Sequence, residues 1–220
     1  MTSIRVEALC IGQPVPFRGE ELSAIGKAPI NGAIHIGHEG LAGDAQADRR
    51  YHGGPDMALH HFPLDHHAFW RGEIGDHPLL DQPGAFGTNI ATHGLTEEAV
   101  NLGARYRLGS ALIEVSRPRQ PCWKIEHRFG HKNMLRQILK TRRCGWYYRV
   151  IEEGTAQAGD ILEQVSHGRE EWPVDRVFEA IWGTSEPMDR ALLHALTDIQ
   201  ELAPALRDSI RRKLESTPER

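Results

Sequence analysis

Three cysteines in 220 residues, at positions 10, 122 and 144 with no two in a CxxC pair, exclude a disulfide framework and a cysteine-based zinc site. A formal net charge of −4 excludes the dominant basic face that nucleic-acid binding needs, so no nucleic-acid partner is expected. No apolar run approaches the ~18 residues of a membrane helix, and no membrane partner is expected. The opening Met1-Thr2-Ser3-Ile4-Arg5-Val6-Glu7 lacks the charged-then-apolar pattern of a secretory signal, which leads to an expected cytoplasmic location. There is no HExxH, no Gly-Lys-Ser/Thr after a glycine-rich turn, no cluster motif, and no flavin or nicotinamide fingerprint.

What is present reads as two compositions. Ile4, Val6, Ala8 and Cys10 alternate with Arg5, Glu7 and Leu9, a period of two that predicts a strand with one buried face. Asn31-Gly32, inside Lys27 to Ile36, predicts a tight hairpin. Gly109-Ser110 predicts a second hairpin between Arg105 to Leu108 and Ala111 to Ser116. Further strands are expected at Trp146 to Ile151 and Ile161 to Val165, with short helices at Leu64 to Trp70 and Lys132 to Lys140. The region is mainly β, and a barrel or sandwich is the natural architecture. After residue 167 three amphipathic patterns follow: Val174, Val177, Phe178 and Ile181; then Leu192, Leu193, Leu196 and Ile199, begun by Ser185 and Pro187; then Leu206, Ile210 and Leu214 after Pro204. Three such helices either pack on the barrel or present a face to a partner. The expected division is residues 1–167 and a three-helix appendage, 168–220.

Four segments could carry chemistry. In Val115-Ser116-Arg117-Pro118-Arg119-Gln120-Pro121-Cys122-Trp123-Lys124, two prolines stiffen the loop, and Arg117, Arg119 and Lys124 surround Cys122. Cations favour a thiolate, which is both a nucleophile and a soft metal ligand; the bland alternative is a small buried hydrophobe. Cys10 reads as core, and Cys144 also follows two arginines, so sequence-local charge does not single out Cys122. The stretches around Asp44 and around His52-Gly53-Gly54 are glycine-rich and allow a close backbone approach to a ligand, or simply tight loops. His52, His60, His61, His66 and His67 raise a metal site but lack a carboxylate at ligand spacing, and only His52 is retained as functional. Asn89, in Phe86-Gly87-Thr88-Asn89-Ile90, either bonds a ligand edge or caps a turn.

Together these segments, with Ser23-Ala24-Ile25-Gly26-Lys27 and Gly145-Trp146-Tyr147-Tyr148-Arg149-Val150, resemble the MOSC-domain proteins of the YiiM-like branch. The resemblance implies a distorted β-barrel holding molybdenum cofactor (molybdopterin), with Cys122 as the metal's protein ligand. It implies reduction of N-hydroxylated bases, such as 6-hydroxylaminopurine, to amines, as in detoxification, with electrons from a separate reductase protein. Lys27, Arg117, Arg119, Lys124 and Arg149 are the expected cofactor-binding cations, beside Gly53, Gly54 and Asn89. His52 and Asp44 are expected as catalytic proton-relay or pterin-binding groups. One departure stands out: Thr88 occupies the place where the family usually has glutamate. The alternatives are a persulfide carrier using Cys122 and a non-catalytic binding module.

Overall fold

The computed structural model describes residues 2–47, 53–183 and 189–216. The strands among them are β1 Ser3–Ile11, β2 Val15–Arg18, β3 Glu21–Ser23, β4 Ala28–Pro29, β5 Ile34–Gly37, β6 Gly40–Leu41, β7 Leu59–Pro63, β8 Ile90–Thr92, β9 Arg105–Leu108, β10 Ala111–Pro118, β11 Trp146–Glu152, β12 Gly154–Ala156 and β13 Ile161–Ser166. The α-helices are α1 His66–Ile74, α2 Lys124–Phe129, α3 Met134–Thr141, α4 Val174–Trp182, α5 Arg190–Thr197 and α6 Pro204–Ser216. No helix of the described residues is long and apolar enough to cross a membrane.

The main sheet runs β13-β9-β10-β11-β7-β8-β1, and β13 pairs again with β1, closing a seven-stranded barrel. Closure removes the free edges that would otherwise invite pairing with other chains. Among the described strands only β7 and β8 pair in parallel, and α1 lies in the connection between them. Barrel-facing residues such as Val6, Leu9, Ile113, Val115, Trp146, Tyr148 and Leu162 form one buried cluster. β10 is buried along all eight residues, as a strand covered on both faces must be. At its end Pro118 removes a ladder donor, and the chain leaves the sheet after one last rung, Arg119 N–H to Gly145 O at 3.0 Å.

The first strand shows how alternation breaks. A register shift between Val6 and Ala8 lets Ala8, Leu9 and Cys10 all be buried, so Leu9 joins the core instead of facing solvent. The hairpin expected at Asn31-Gly32 does not form. Gly32 does take a left-handed turn at φ 79°, but β4 pairs with β1, and β5 pairs with β6 and β12. A turn dipeptide reports reversal, while the partner is chosen by which face each strand buries; Ile36 is fully buried against the barrel. The Gly109-Ser110 hairpin forms in the expected register, Ala111 opposite Leu108.

The C-terminal helices pack on the barrel. Val177, Ile181, Leu193, Leu196, Leu206, Ile210 and Leu214 share a cluster with Leu102 and Trp172. α4 also reaches two further buried clusters, with Val174 in the barrel cluster and Phe178 beside Ile125 and Phe129 of α2. Asp189 caps α5, its side chain accepting from Leu192 N–H at 3.0 Å; Ser185 and Pro187, expected to begin that helix, lie outside the described residues.

Candidate functional site

Alternation along the strands creates two histidine environments. His60 stands opposite Tyr147, and His61 opposite Trp146. Opposed residues share a face, so His61 enters the barrel, its ring nitrogens 3.0 Å from Tyr148 Oη and 2.8 Å from Thr92 Oγ1. His60 and Tyr147 turn to the other side, their rings 5.2 Å apart, and there they line a cleft. Its walls are completed by Cys122, Lys27, Arg119, Lys124, Asn89, Met57, Ile25 and small residues including Ala45, Ala47 and Gly87.

Cys122 sits where the loop after β10 turns into α2, and its carbonyl accepts Ile125 N–H at 3.0 Å. The β2–β3 hairpin packs against this turn: Phe17 meets His127 at 4.6 Å, and the Arg18 guanidinium lies 3.8 Å over the Trp123 ring. That contact holds Ser23, Ala24 and Ile25 in the cleft wall. α2 itself was not expected, although Ile125 and Phe129 at i, i+4 before a left-handed Gly130 are a legible signal.

Structure separates the three cysteines where sequence-local charge does not. Cys10 and Cys144 are fully buried, and burial pushes their thiols up to about 12 and about 11. The arginines preceding Cys144 turn away from it. Arg142 meets Glu179 at 3.2 Å and Arg143 lies 4.3 Å over Phe69. Cys122 is partly exposed and opens on the cleft.

Three of the expected cations line the cleft: Lys27, Arg119 and Lys124, all nearly buried. Lys27 bonds Asp44, and burial pulls its ammonium below the usual range against the support of that carboxylate. Lys124 pairs with Glu21 at 3.3 Å. Arg119 is surrounded by Cys144, Tyr147 and Cys122; burial opposes its charge, and these neighbours outweigh that cost and hold it above its usual value. Its Nη1 stands 3.8 Å from Cys144 Sγ.

The remaining expected residues take other places. Asp44 lies off the described wall, accepting from Gly12 N–H and Asn89 Nδ2 at 2.8 Å each and from Lys27. Asn89 reaches the wall, but its amide is committed to His60 N–H, the Cys10 carbonyl and Asp44. Arg149 is not a cleft cation: Asp56 and Glu114 hold it at 2.7 and 2.8 Å and neutralise it. Arg117 stands opposite Tyr147 on the adjacent strand but is buried off the described wall, its Nε donating to Pro118 O at 3.4 Å. Gly53 and Gly54 are not in the described wall, and Gly54, at φ 92°, starts the short turn that delivers Met57 to it. His52 lies outside the described residues. Thr88 is fully buried, off the wall, its hydroxyl without a partner among the described residues.

Sequence reading missed His60 and Tyr147 as site residues. Both His60 ring nitrogens face carbonyls, Gly87 O at 3.1 Å and Cys144 O at 3.2 Å. Burial first, then the Arg119 charge, holds its pKa well below the ordinary value. His66 bonds Glu97 at 2.7 Å and His67 bonds Leu80 O at 2.8 Å. The described residues contain no group of three or more histidine, cysteine or acidic side chains placed to hold a metal ion.

Residues 48–163 match the family model described as the MOSC domain. The chain is 42% identical over 144 residues to protein YiiM of Escherichia coli (strain K12), a match covering 66% of this chain and 64% of that protein. It is 36% identical over 164 residues to a protein of Gibberella moniliformis named reductase, covering 74% of this chain but 29% of that one. The crystal structure of YiiM from Geobacillus stearothermophilus superposes with a TM-score of 0.81 at 26% identity, covering 96% of this chain and 99% of the other.

Proposed function

The chain belongs to the MOSC-domain family, and on that premise we propose that it is a molybdenum-cofactor reductase of N-hydroxylated bases and their analogues, such as 6-hydroxylaminopurine. The observation that carries the reading is the convergence of Cys122, Lys27, Arg119 and Lys124 on one cleft.

The donor set fits the cofactor. A thiolate is a matching ligand for a metal already held by soft dithiolene sulfurs, and Cys122 is the cysteine that reaches the cleft. The cofactor's phosphate needs buried cations inside a mildly acidic protein, and Arg119, without a carboxylate partner among the described residues, offers a bidentate fork. Lys27 and Lys124 add charge, while Asp44 and Asn89 fix the wall around them. When bound, the cofactor supplies the two-electron chemistry; the chain supplies binding, orientation and protons.

Electrons come, in this reading, from a separate reductase protein in the cytoplasm. The fungal relative supports this, since it carries the name reductase and most of its length lies outside the match.

The test is reduction of 6-hydroxylaminopurine to adenine by protein purified from a cofactor-competent host, with a reduced viologen as artificial donor. Turnover by the wild type and its loss in Cys122→Ser are expected. A persulfide carrier gives cyanide-releasable sulfur and no turnover, and that result overturns the proposal.

A further inference from the structure

Reducing an N–OH group to an amine needs two electrons and two protons, and the cleft must supply a proton to the departing hydroxyl. The expected relay group Asp44 lies off the described wall, with its oxygens occupied by Gly12, Lys27 and Asn89. Of the titratable groups on the described wall, Cys122 is the metal's ligand in the proposed reading, Lys27 is tied to Asp44 and Lys124 to Glu21. A neutral His60 has one N–H, and on either ring nitrogen that hydrogen points at a backbone carbonyl. Arg119 does not release protons.

Tyr147 remains. It is partly exposed, lines the cleft with Cys122, and its hydroxyl sits against the Arg119 guanidinium. An arginine has only donors, so in that contact the phenol oxygen accepts, and its own O–H is left to point at another acceptor. Two buried cations neighbour the phenol, Arg119 on the wall and Arg117 opposite Tyr147 on the adjacent strand. β-Strand register fixes the arrangement, since Tyr147 stands opposite His60 on one side and Arg117 on the other.

We infer that Tyr147 is the proton donor of the reaction, a catalytic role that rests on the proposed reductase function. The balanced step is R–NHOH + 2 e⁻ + 2 H⁺ → R–NH2 + H2O. The Tyr147 O–H bond breaks as the N–O bond breaks, and its proton converts the departing hydroxyl to water. The second proton goes to the amine nitrogen from solvent, and solvent through the cleft mouth reprotonates the phenolate. The electrons come from the external reductant, a flavin- or nicotinamide-dependent reductase in the cell or a viologen in the assay.

The test compares Tyr147→Phe with wild type, as full chains made in a cofactor-competent host. Molybdenum per chain, affinity for the amine product and KM are expected unchanged, while kcat falls about 100-fold or more, the range for removing a positioned acid. The residual rate rises with buffer-acid concentration, because a dissolved acid then replaces the phenol. A kcat within about threefold of wild type at equal molybdenum overturns the inference and leaves the reductase reading standing. Loss of molybdenum from the variant also overturns it, by making Tyr147 a cofactor-holding residue. A wild type without molybdenum or turnover overturns the reductase reading itself, and the two failures are thereby distinguished.

Discussion

Glu97 Oε1 accepts the backbone N–H of Gly145 at 2.7 Å, and that contact reaches the cleft through one further bond. The same oxygen accepts Cys144 N–H at 3.1 Å, and the other meets His66 Nε2 at 2.7 Å. Gly145 O in turn accepts Arg119 N–H, so a carboxylate off the described wall fixes the turn to which the Arg119 backbone is bonded.

Replacing Glu97 by alanine therefore orphans two buried N–H groups and a buried imidazole. Each unsatisfied group costs about 1–3 kcal/mol, so the loss is about 3 kcal/mol or more. At about 2–4 °C per kcal/mol for a chain of this size, Glu97→Ala is expected to lower Tm by about 6 °C or more. Thermal melting followed by circular dichroism reads it; a shift under about 2 °C contradicts the network.

Cysteine accessibility gives a second outcome. Brief treatment of the native apoprotein with iodoacetamide is expected to add one label, at Cys122, because Cys10 and Cys144 are fully buried with thiols pushed well up. Peptide mass mapping locates the label, and native modification of Cys144 ahead of Cys122 contradicts the assignment.

The same burial predicts alkaline lability. In the unfolded chain both thiols ionise from about their ordinary value of 9.0, while the folded protein keeps the protons until about 11 and about 12. The unfolded state then binds fewer protons than the native one, so stability is full below pH 9 and falls as pH rises above it. The limiting slope is about 1.4 kcal/mol per pH unit for each thiol. Urea midpoints measured between pH 8 and 10 are expected to drop, and Cys10→Ala to flatten the drop. A flat profile in the wild type contradicts it.

The C-terminal helices are coupled to the site through α4. Its Phe178 packs with Ile125 and Phe129 of α2, the helix that follows Cys122, and its Glu179 holds Arg142 two residues before Cys144. Phe178→Ala is expected to destabilise by about 3–5 kcal/mol, as truncations of buried aromatics do. Equilibrium urea unfolding checks this, and a loss below about 1 kcal/mol would mean that α4 does not brace the site.

Elements whose signal is local were legible. The Gly109-Ser110 hairpin, β11, β13 and the three C-terminal stripes follow from period and turn chemistry alone. β7 was not, because His60 and His61 look polar in a strand that is buried throughout. The Asn31-Gly32 turn misled because strand partners depend on distant residues. At the site, the loop chemistry of Cys122, Arg119 and Lys124 was readable, since Arg119 and Lys124 each lie within three residues of Cys122. Arg149 and Tyr147 needed register: they lie two apart on β11, yet Asp56 and Glu114 neutralise one while the other faces the cleft.

The central claim is that Cys122 ligates the metal, and metal analysis tests it most directly. Wild type and Cys10→Ala from a cofactor-competent host are expected to carry about one molybdenum and one pterin per chain, and Cys122→Ser neither in stable form. A purified Cys122→Ser protein that keeps its molybdenum and its full reductase activity contradicts the account.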